Sequence, residues 1–331
     1  MAQDRVPEEF IRLADPYRKE LLAHCYRMTG SLHEAEDLVQ ETYLRAWRGY
    51  DRFEGRSSLR TWLHRIATST CLTALDRRSR RPLPSGLGAA TSSPDGRLRE
   101  RPDIAWLEPV PDARIADDPT DPATIAGGRE RTRLAFTAAL QHLPARQRAV
   151  LLLRDVLKCK APEVADLLGT TVTAVNSALQ RARAQLARIA PAEDDPPTAL
   201  TEEQQHLLDR YVTAFEAKDV GELVHLFTHD ATWEMPPFST WVRGAAAIGV
   251  LIDRQCPAGP GEMHLVPTRA NGQIAFAVYR RSADGVFRPF QLQVLALAGS
   301  GVQHTAAFFD TTLFALFGLP STAEPTAAPA H

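Results

Sequence analysis

The sequence predicts a multidomain chain: two all-α blocks at about 6–81 and 129–190, then an α+β domain at about 200–320. Three observations predict it. At 331 residues the chain exceeds one typical domain. Apolar residues recur at helical spacing through the first two blocks, whereas the third ends in short strand-like runs. Two stretches rich in Pro, Gly, Ser and Asp, 82–128 and the acidic PAEDDPP at 191–197, read as linkers, and 321–331 reads as a flexible tail.

The net charge of −2 conceals a segregation. Residues 1–81 carry 15 Lys/Arg against 12 Asp/Glu, 82–128 carry 4 against 8, 129–190 carry 11 against 4, and 191–331 carry 8 against 16. Two basic blocks separated by an acidic one fit two contacts with a polyanion.

In the first block, residues 33–50 set Ala35, Leu38, Val39, Thr42, Tyr43, Ala46 and Trp47 on one helical stripe. Ser31 and Glu34 form a capping box ahead of it. The polar face displays Glu34, Asp37, Gln40 and Glu41. A second helix is predicted over 59–79, with Leu59, Trp62, Leu63, Ile66, Ala67, Thr70, Cys71 and Ala74 inward. Its other face carries Arg60, Thr61, His64, Arg65, Thr68 and Ser69, and Arg77, Arg78, Arg80 and Arg81 follow where a helix end favours cations. The loop DRFEGRSS before it combines an aromatic, a glycine and hydroxyls, which suits an unstacked base. On residue types alone, the block reads better as a three-helix packing unit with solvated faces.

The string AEDLVQETYLRAWR, followed by F-x-G-R-S-S-L-R-T-W-L-x-R-I-A, resembles region two of the extracytoplasmic-function (group four) sigma-70 family over most of 10–80. The resemblance implies that Asp37, Gln40 and Glu41 bind the clamp of the largest subunit of core RNA polymerase. It implies too that Phe53, Arg56, Ser57, Ser58, Arg60 and Arg65 capture the single-stranded −10 element of promoter DNA. Trp62 faces the apolar stripe and is assigned to the core.

In the second block, Leu143-Pro144 break one helix and Ala145 to Leu157 form the next. Pro162 opens a short helix that stops at Gly169, and Thr170 or Thr171 caps a longer one reaching about Arg188. Ala165, Gly169 and Val175 stand where a helix-turn-helix needs a close crossing, a tight turn and a core contact. The longer helix is expected to bury Val172, Val175, Leu179 and Leu186. It is expected to expose Thr171, Thr173, Asn176, Ser177, Gln180, Arg181 and Arg183. Asn176 and Gln180 suit adenine edges, Arg181 a guanine or phosphate, and Arg183 and Arg188 phosphates. LPARQRAVLLLRDV and APEVADLLGTTVTAVNSALQRAR resemble region four of the same family, which implies recognition of the −35 element and contact with the polymerase flap. The 47 residues of 82–128 are long for a connector in that family. Within them Ile104-Ala-Trp106-Leu107 is an apolar knot suited to docking on a neighbouring surface.

The third block opens with helices at 202–218 and 219–227. Strand-like runs follow at 231–234, 264–270, 273–280, 289–298 and 302–309, with a hairpin signal at Asn271-Gly272. Helices followed by antiparallel strands indicate an α+β cone. THDATWEMPP, W-x-x-G at Trp241 to Gly244, and FFDTTLFALFGLP resemble the SnoaL-like family, related to the ketosteroid isomerase fold, whose cone encloses an apolar pocket. The candidate pocket residues are Trp233, Glu234, Met235, Trp241, His264, Phe276, Tyr279 and Gln291, of which Met235 and Phe276 read better as core. Asp230, Glu234 and His264 are candidates for a general base, but acid and base do not converge in the sequence. A regulatory role is favoured, with an anti-sigma factor or a small ligand as the partner this domain suggests.

Cys25, Cys71, Cys159 and Cys256 are scattered, so neither a disulfide framework nor a metal site is expected, and no cofactor. Lys158 and Lys160 flank Cys159, an arrangement expected to lower its pKa. MAQDRVPEEF has no hydrophobic signal core, and no run approaches the roughly 18 apolar residues of a membrane span, so a cytoplasmic protein without a membrane partner is expected. The leading expectation is a non-enzymatic promoter-recognition factor tuned by its third domain. One alternative is a ligand-sensing helix-turn-helix regulator acting without polymerase, for which the acidic helix is superfluous. Another is a bifunctional small-molecule enzyme, which requires turnover that depends on Glu234 or His264.

Overall fold

The computed structural model describes residues 8–55, 57–76, 80–115, 133–189 and 200–324. The chain forms two compact units, one of residues 1–82 and 107–195 and one of residues 83–106 and 196–331. The stretch 82–128 is therefore no simple connector. Its first part, 83–106, belongs to the second unit, and 107–115 belongs to the first. The second expected linker, 191–197, lies outside the described residues.

The first unit opens with α1 (Glu8–Ala14), α2 (Arg18–Thr29), α3 (Leu32–Tyr50) and α4 (Leu59–Leu75). Ser31 caps α3 by accepting from the Glu34 amide, and Ser58 caps α4 by accepting from the Thr61 amide. Each such cap stabilises its helix by about 1 kcal/mol. Ala35, Val39, Tyr43 and Ala46 of α3 and Leu63, Ala67 and Cys71 of α4 join one core, as their spacing predicts. The expected polar face of α4 needs correction, because His64 and Thr68 are buried. Both turn toward α2, where His24 Nε2 lies 2.9 Å from Thr68 Oγ1. The helix ends at Leu75, short of the predicted 79, and 77–79 lie outside the described residues. Arg81 is no exposed cation, since its guanidinium pairs with Glu34 and Glu108.

The chain returns to this unit at Leu107, which is fully buried, and then forms α5 (Asp112–Ile115). Four more helices follow: α6 (Leu134–Gln141), α7 (Ala145–Leu151), α8 (Ala161–Leu168) and α9 (Val172–Ile189). A π-helical turn, Leu152–Val156, extends α7. Helices α6 and α7 pack on α2 through Arg148, which is buried. Arg148 donates to the carbonyls of Met28, Gln141 and Leu143 and to Gln141 Oε1. Burial pushes its guanidinium down to about 10, within the range where it stays charged at neutral pH.

The second unit holds α10 (Glu202–Glu216), α11 (Val220–Leu226), β1 (Phe227–Glu234), β2 (Trp241–Arg243), α12 (Ala245–Gln255), β3 (Met263–Ala270), β4 (Gln273–Arg281), β5 (Phe287–Ala298), β6 (Gly301–Phe308) and α13 (Leu313–Leu316). The sheet order is β2-β1-β6-β5-β4-β3. It is mixed rather than purely antiparallel, because β1 pairs parallel to β6. Side chains alternate between its two faces. Trp233, Val242, Leu265, Phe276, Val278, Leu295 and Ala307 meet α10, α11 and α12 on one face and form the core there. β2, α12 and α13 escape the sequence reading: three residues of strand, an Ala-rich helix and one helical turn carry little periodic contrast. The expected tail at 321–331 begins bound rather than free, because the Ala323 amide donates to the Phe287 carbonyl at 3.0 Å.

Replacing Arg148 with Met leaves four buried acceptors without their donor. Arg148→Met is expected to lower the free energy of unfolding by about 2–4 kcal/mol in urea titration. A loss below about 0.5 kcal/mol would show that water or neighbouring donors satisfy those carbonyls.

Candidate polymerase and nucleic-acid interface

Two surfaces of the first unit gather the residues singled out from sequence. The first is on α3. Asp37 and Gln40 are exposed one turn apart, and Glu41 is half-buried with Arg45 Nε 2.6 Å from its Oε1. His33 Nε2 stands 4.0 Å from Asp37. Glu34, on the same polar face, is engaged by Arg81, and Glu36 pairs with Arg114 of α5. The chain therefore satisfies one end of the acidic face itself and leaves Asp37 and Gln40 in solvent.

Beside α3 lie the start of α4 and the loop ahead of it. Ser57, Ser58 and Arg65 are exposed, while Arg56 lies outside the described residues. Phe53 is half-buried, its ring 4.8 Å from Trp62 and 6.3 Å from Tyr50, so it covers the core as well as facing the loop. Trp62 packs against the hydrophobic core, as its place on the apolar stripe predicts. Arg60 reaches back to α2 and makes a two-pronged pair with Glu20. His64 Nε2 lies 3.5 Å from the same carboxylate. Burial alone would raise the Glu20 pKa, but His64 and Arg60 outweigh it and hold the carboxyl at about 2. Sequence reasoning missed Glu20. Its signal, an acid at the start of α2, means nothing until α4 packs across it.

The second surface is on α9. Gly169, with φ +60°, closes α8 in the left-handed conformation that suits glycine. Thr171 caps α9 by accepting from the Ala174 amide at 3.2 Å, which settles the choice between Thr170 and Thr171. Ala165 and Val175 are buried at the crossing. Val172 was expected inside but is 40% exposed, because it occupies the first turn, before α9 reaches α8. Leu179 and Ala182 complete the buried stripe. Thr173, Asn176, Gln180 and Arg183 recur on the opposite side of α9, all exposed. Arg181 is exposed and Ser177 half-buried. Arg183 is held by Asp155 through bonds of 2.9 and 2.6 Å. The Cys159 thiol is pushed up, not down, because burial outweighs the neighbouring arginines.

The residues expected to line a pocket do not converge. Trp233 points to the helix-bearing face, stacked on Phe215. Met235 and Phe276 lie in the core, and Gln291 is buried opposite Val278. Glu234, Trp241 and Tyr279 fall on the other face by strand alternation. Glu234 Oε1 lies 2.7 Å from His304 Nε2, and Tyr279 Oη donates to the Pro320 carbonyl. Burial raises the Glu234 pKa, but His304 and the Ser85 amide outweigh it and hold the carboxyl low. His264 Nδ1 lies 2.9 Å from Glu216, at the β3 edge. Asp230 is exposed. Two carboxylate–imidazole pairs exist, then, but neither faces the cone interior, and His304 and Glu216 were not anticipated. No group of His, Cys, Asp and Glu among the described residues is arranged to hold a metal ion. No helix among them is long and apolar enough to cross a membrane.

A helix-turn-helix with a polar recognition face, a second helical region with an acidic and a basic surface, and a separate α+β domain together define a sigma-70-type transcription initiation factor with an appended domain. Family models agree on each part: Sigma-70 region 2 matches residues 13–81, Sigma-70 region 4 matches 133–186, and the SnoaL-like domain matches 208–309. The chain is 61% identical over 314 residues to the ECF RNA polymerase sigma factor SigG of Mycobacterium tuberculosis, covering 94% of this chain and 84% of that protein. It is 30% identical over 236 residues to SigJ of the same species, covering 69% of this chain and 67% of that protein. The crystal structure of M. tuberculosis SigJ shares the fold, with a TM-score of 0.60 at 23% identity over 94% of this chain and 100% of that one. The chain belongs to the ECF RNA polymerase sigma factor family. It is thus a transcription initiation factor rather than an enzyme, and the polymerase-independent regulator is set aside.

The Glu20 pair has a pH signature. A carboxyl held at about 2 when folded contributes stability in full above its unfolded value of 4.5 and loses it as pH falls toward 2. Glu20→Gln is expected to lower stability at pH 7 by on the order of 2 kcal/mol, allowing for screening of its half-exposed partner. The gap between variant and wild type should close between about pH 4.5 and 2 in denaturant titrations. A gap independent of pH would assign the loss to packing.

Proposed function

We propose specific roles for the two surfaces in promoter recognition. Asp37, Gln40 and Glu41 dock on the clamp of the largest polymerase subunit. The 53–58 loop, Arg60 and Arg65 grip the unpaired −10 strand. Helix α9 enters the major groove at the −35 element, where Asn176 and Gln180 read base edges and Arg181, Arg183 and Arg188 meet guanine or phosphate. The SnoaL-like domain tunes activity through contacts within the chain, and the protein works beside the polymerase in the cytoplasm.

The observation that carries this reading is the line of Thr173, Asn176 and Gln180 exposed on α9 while Val175, Leu179 and Ala182 anchor the same helix from behind. A helix held by one face with short polar side chains on the other is built to be read against a groove. The pairs Arg60–Glu20 and Arg183–Asp155 hold two arginines extended at the surface. The Arg183–Asp155 pair is exposed and therefore weak, so a phosphate can displace the acid, whereas the part-buried Arg60–Glu20 pair is the stronger of the two.

Co-purification with core polymerase tests the first contact. The double variant Asp37→Lys, Glu41→Lys is expected to weaken core binding at least tenfold while leaving the fold intact. Asn176→Ala is expected to cost about 1–3 kcal/mol on a cognate promoter and to relax preference at one base position. Wild-type protein that never binds core would sink the assignment.

A further inference from the structure

Helix α9 begins with a side chain that neither the core nor the assigned −35 contacts use. Val172, its first residue, is 40% exposed. Apart from Ile189 at the far end of the same helix, it is the only large apolar side chain exposed in the helix-turn-helix among the described residues. It does not belong to the cluster that holds Val175, Leu179 and Ala182. Thr170, Thr171, Thr173 and Ala174 around it are exposed as well. Of these, Thr171 has a local duty, as the cap that accepts from the Ala174 amide. Val172 has none: a β-branched side chain is a mediocre helix former, and here it gains no burial in return.

The charge pattern narrows what such a tip can recognise. From Val172 to Gln180 the helix carries no charged residue. Arg181 is the first, about 13 Å further along the axis at 1.5 Å per residue. The usual reader of guanine, a bidentate Arg or Lys, is therefore absent from the first two turns. What the tip offers is methyl groups. The apolar feature that a base pair shows in the major groove is the thymine C5 methyl. Val172 is stiff at χ1, so holding its methyls against a base costs little rotamer entropy. It also precedes Asn176 by four residues and shares its side of the helix. One helical turn advances about 5.4 Å and one base step about 3.4 Å, so the two side chains address neighbouring base pairs.

We propose that Val172 is a specificity-determining residue that reads a thymine of the −35 element by packing on its C5 methyl group, beside the base pair addressed by Asn176. The inference rests on the placement of α9 in the major groove. It adds a contact of a different kind to the polar ones assigned there. Cytosine and the two purines carry no methyl at that position, so an apolar side chain at the helix tip separates thymine from all three. Covering one methyl group contributes about fourfold in affinity.

Deoxyuridine differs from thymidine by that methyl alone and pairs in the same way, so it isolates the contact. Full-length protein with core polymerase first selects a −35 sequence from promoter duplexes randomised there. Each thymine of the selected element is then replaced by deoxyuridine in turn, and binding is measured. For the wild type, one replacement is expected to weaken binding about fourfold. Val172→Ser, a substitution outside the core, is expected to weaken binding to the thymine duplex by a similar factor and to lose nothing more on deoxyuridine at that position. Asn176→Ala is expected to keep the full deoxyuridine effect there. Undiminished sensitivity in Val172→Ser would overturn the proposal, as would a selected element with no sensitive thymine. Both results would leave α9 in the groove. A wild-type protein that selects no −35 sequence would sink that placement and the proposal with it.

Discussion

The C-terminal end of α2 is the junction on which the first unit depends. A helix end leaves its last carbonyls without intrahelical donors. Here the helix's own cap takes one and other parts of the chain take its neighbours. The Gly30 amide closes on Tyr26 O, the Gln141 side chain donates to Arg27 O, Arg148 to Met28 O, and the Glu108 amide to Gly30 O. Gly30 adopts φ +75°, and a Cβ there would stand 2.9 Å from Leu107 Cδ1. One helix end thus joins region two, the returning segment at 107–108 and the start of region four. An unmade bond at a buried carbonyl costs about 1–3 kcal/mol, so separating these parts needs water or a partner to supply the missing donors.

A related economy governs the charges. The side chains best suited to polymerase and DNA are already in pairs: Arg60 with Glu20, Arg183 with Asp155, Glu41 with Arg45. The pairs of Arg183 and Glu41 are exposed and individually weak, which keeps long side chains ordered without committing them, while the Arg60–Glu20 pair is part-buried and stronger. The acids that do not face solvent have structural duties. Glu108 accepts from the Leu32 amide at the start of α3, where the helix dipole favours a carboxylate, and Glu34 shares Arg81 with it. The helical period of α3 therefore separates Glu34 and Glu36, which pair with Arg81 and Arg114, from Asp37, which is exposed.

Much of this was legible in the residues. The α3 stripe, the Ser31 cap, the turn at Gly169 and the buried Val175 each follow from local spacing, and local spacing survives folding. What the sequence concealed was long-range. His64 and Thr68 look polar along α4 and become interior only because α2 brings His24 beside them. Segment 83–101 has the composition of a linker because its contacts are made by backbone groups, which every residue possesses. The knot from Ile104 to Leu107 was visible as an apolar island in that stretch, and it divides: Leu107 is buried in the first unit, while 104–106 belong to the second.

The pocket expectation shows where strand periodicity overrules a motif. Trp233 and Glu234 are neighbours in the chain and therefore face opposite sides of the sheet. The motif that contains them cannot line one cavity with both. Once Glu234 lies on the face away from the helices, its usefulness depends on what covers it. The cover is backbone from the connector between the two sigma regions, and His304 supplies the counter-group that keeps the carboxylate charged in that position. Both oxygens of this carboxylate are already engaged, Oε1 by His304 and Oε2 by the Ser85 amide. It holds an amide of the same chain, whose tethering raises its effective concentration.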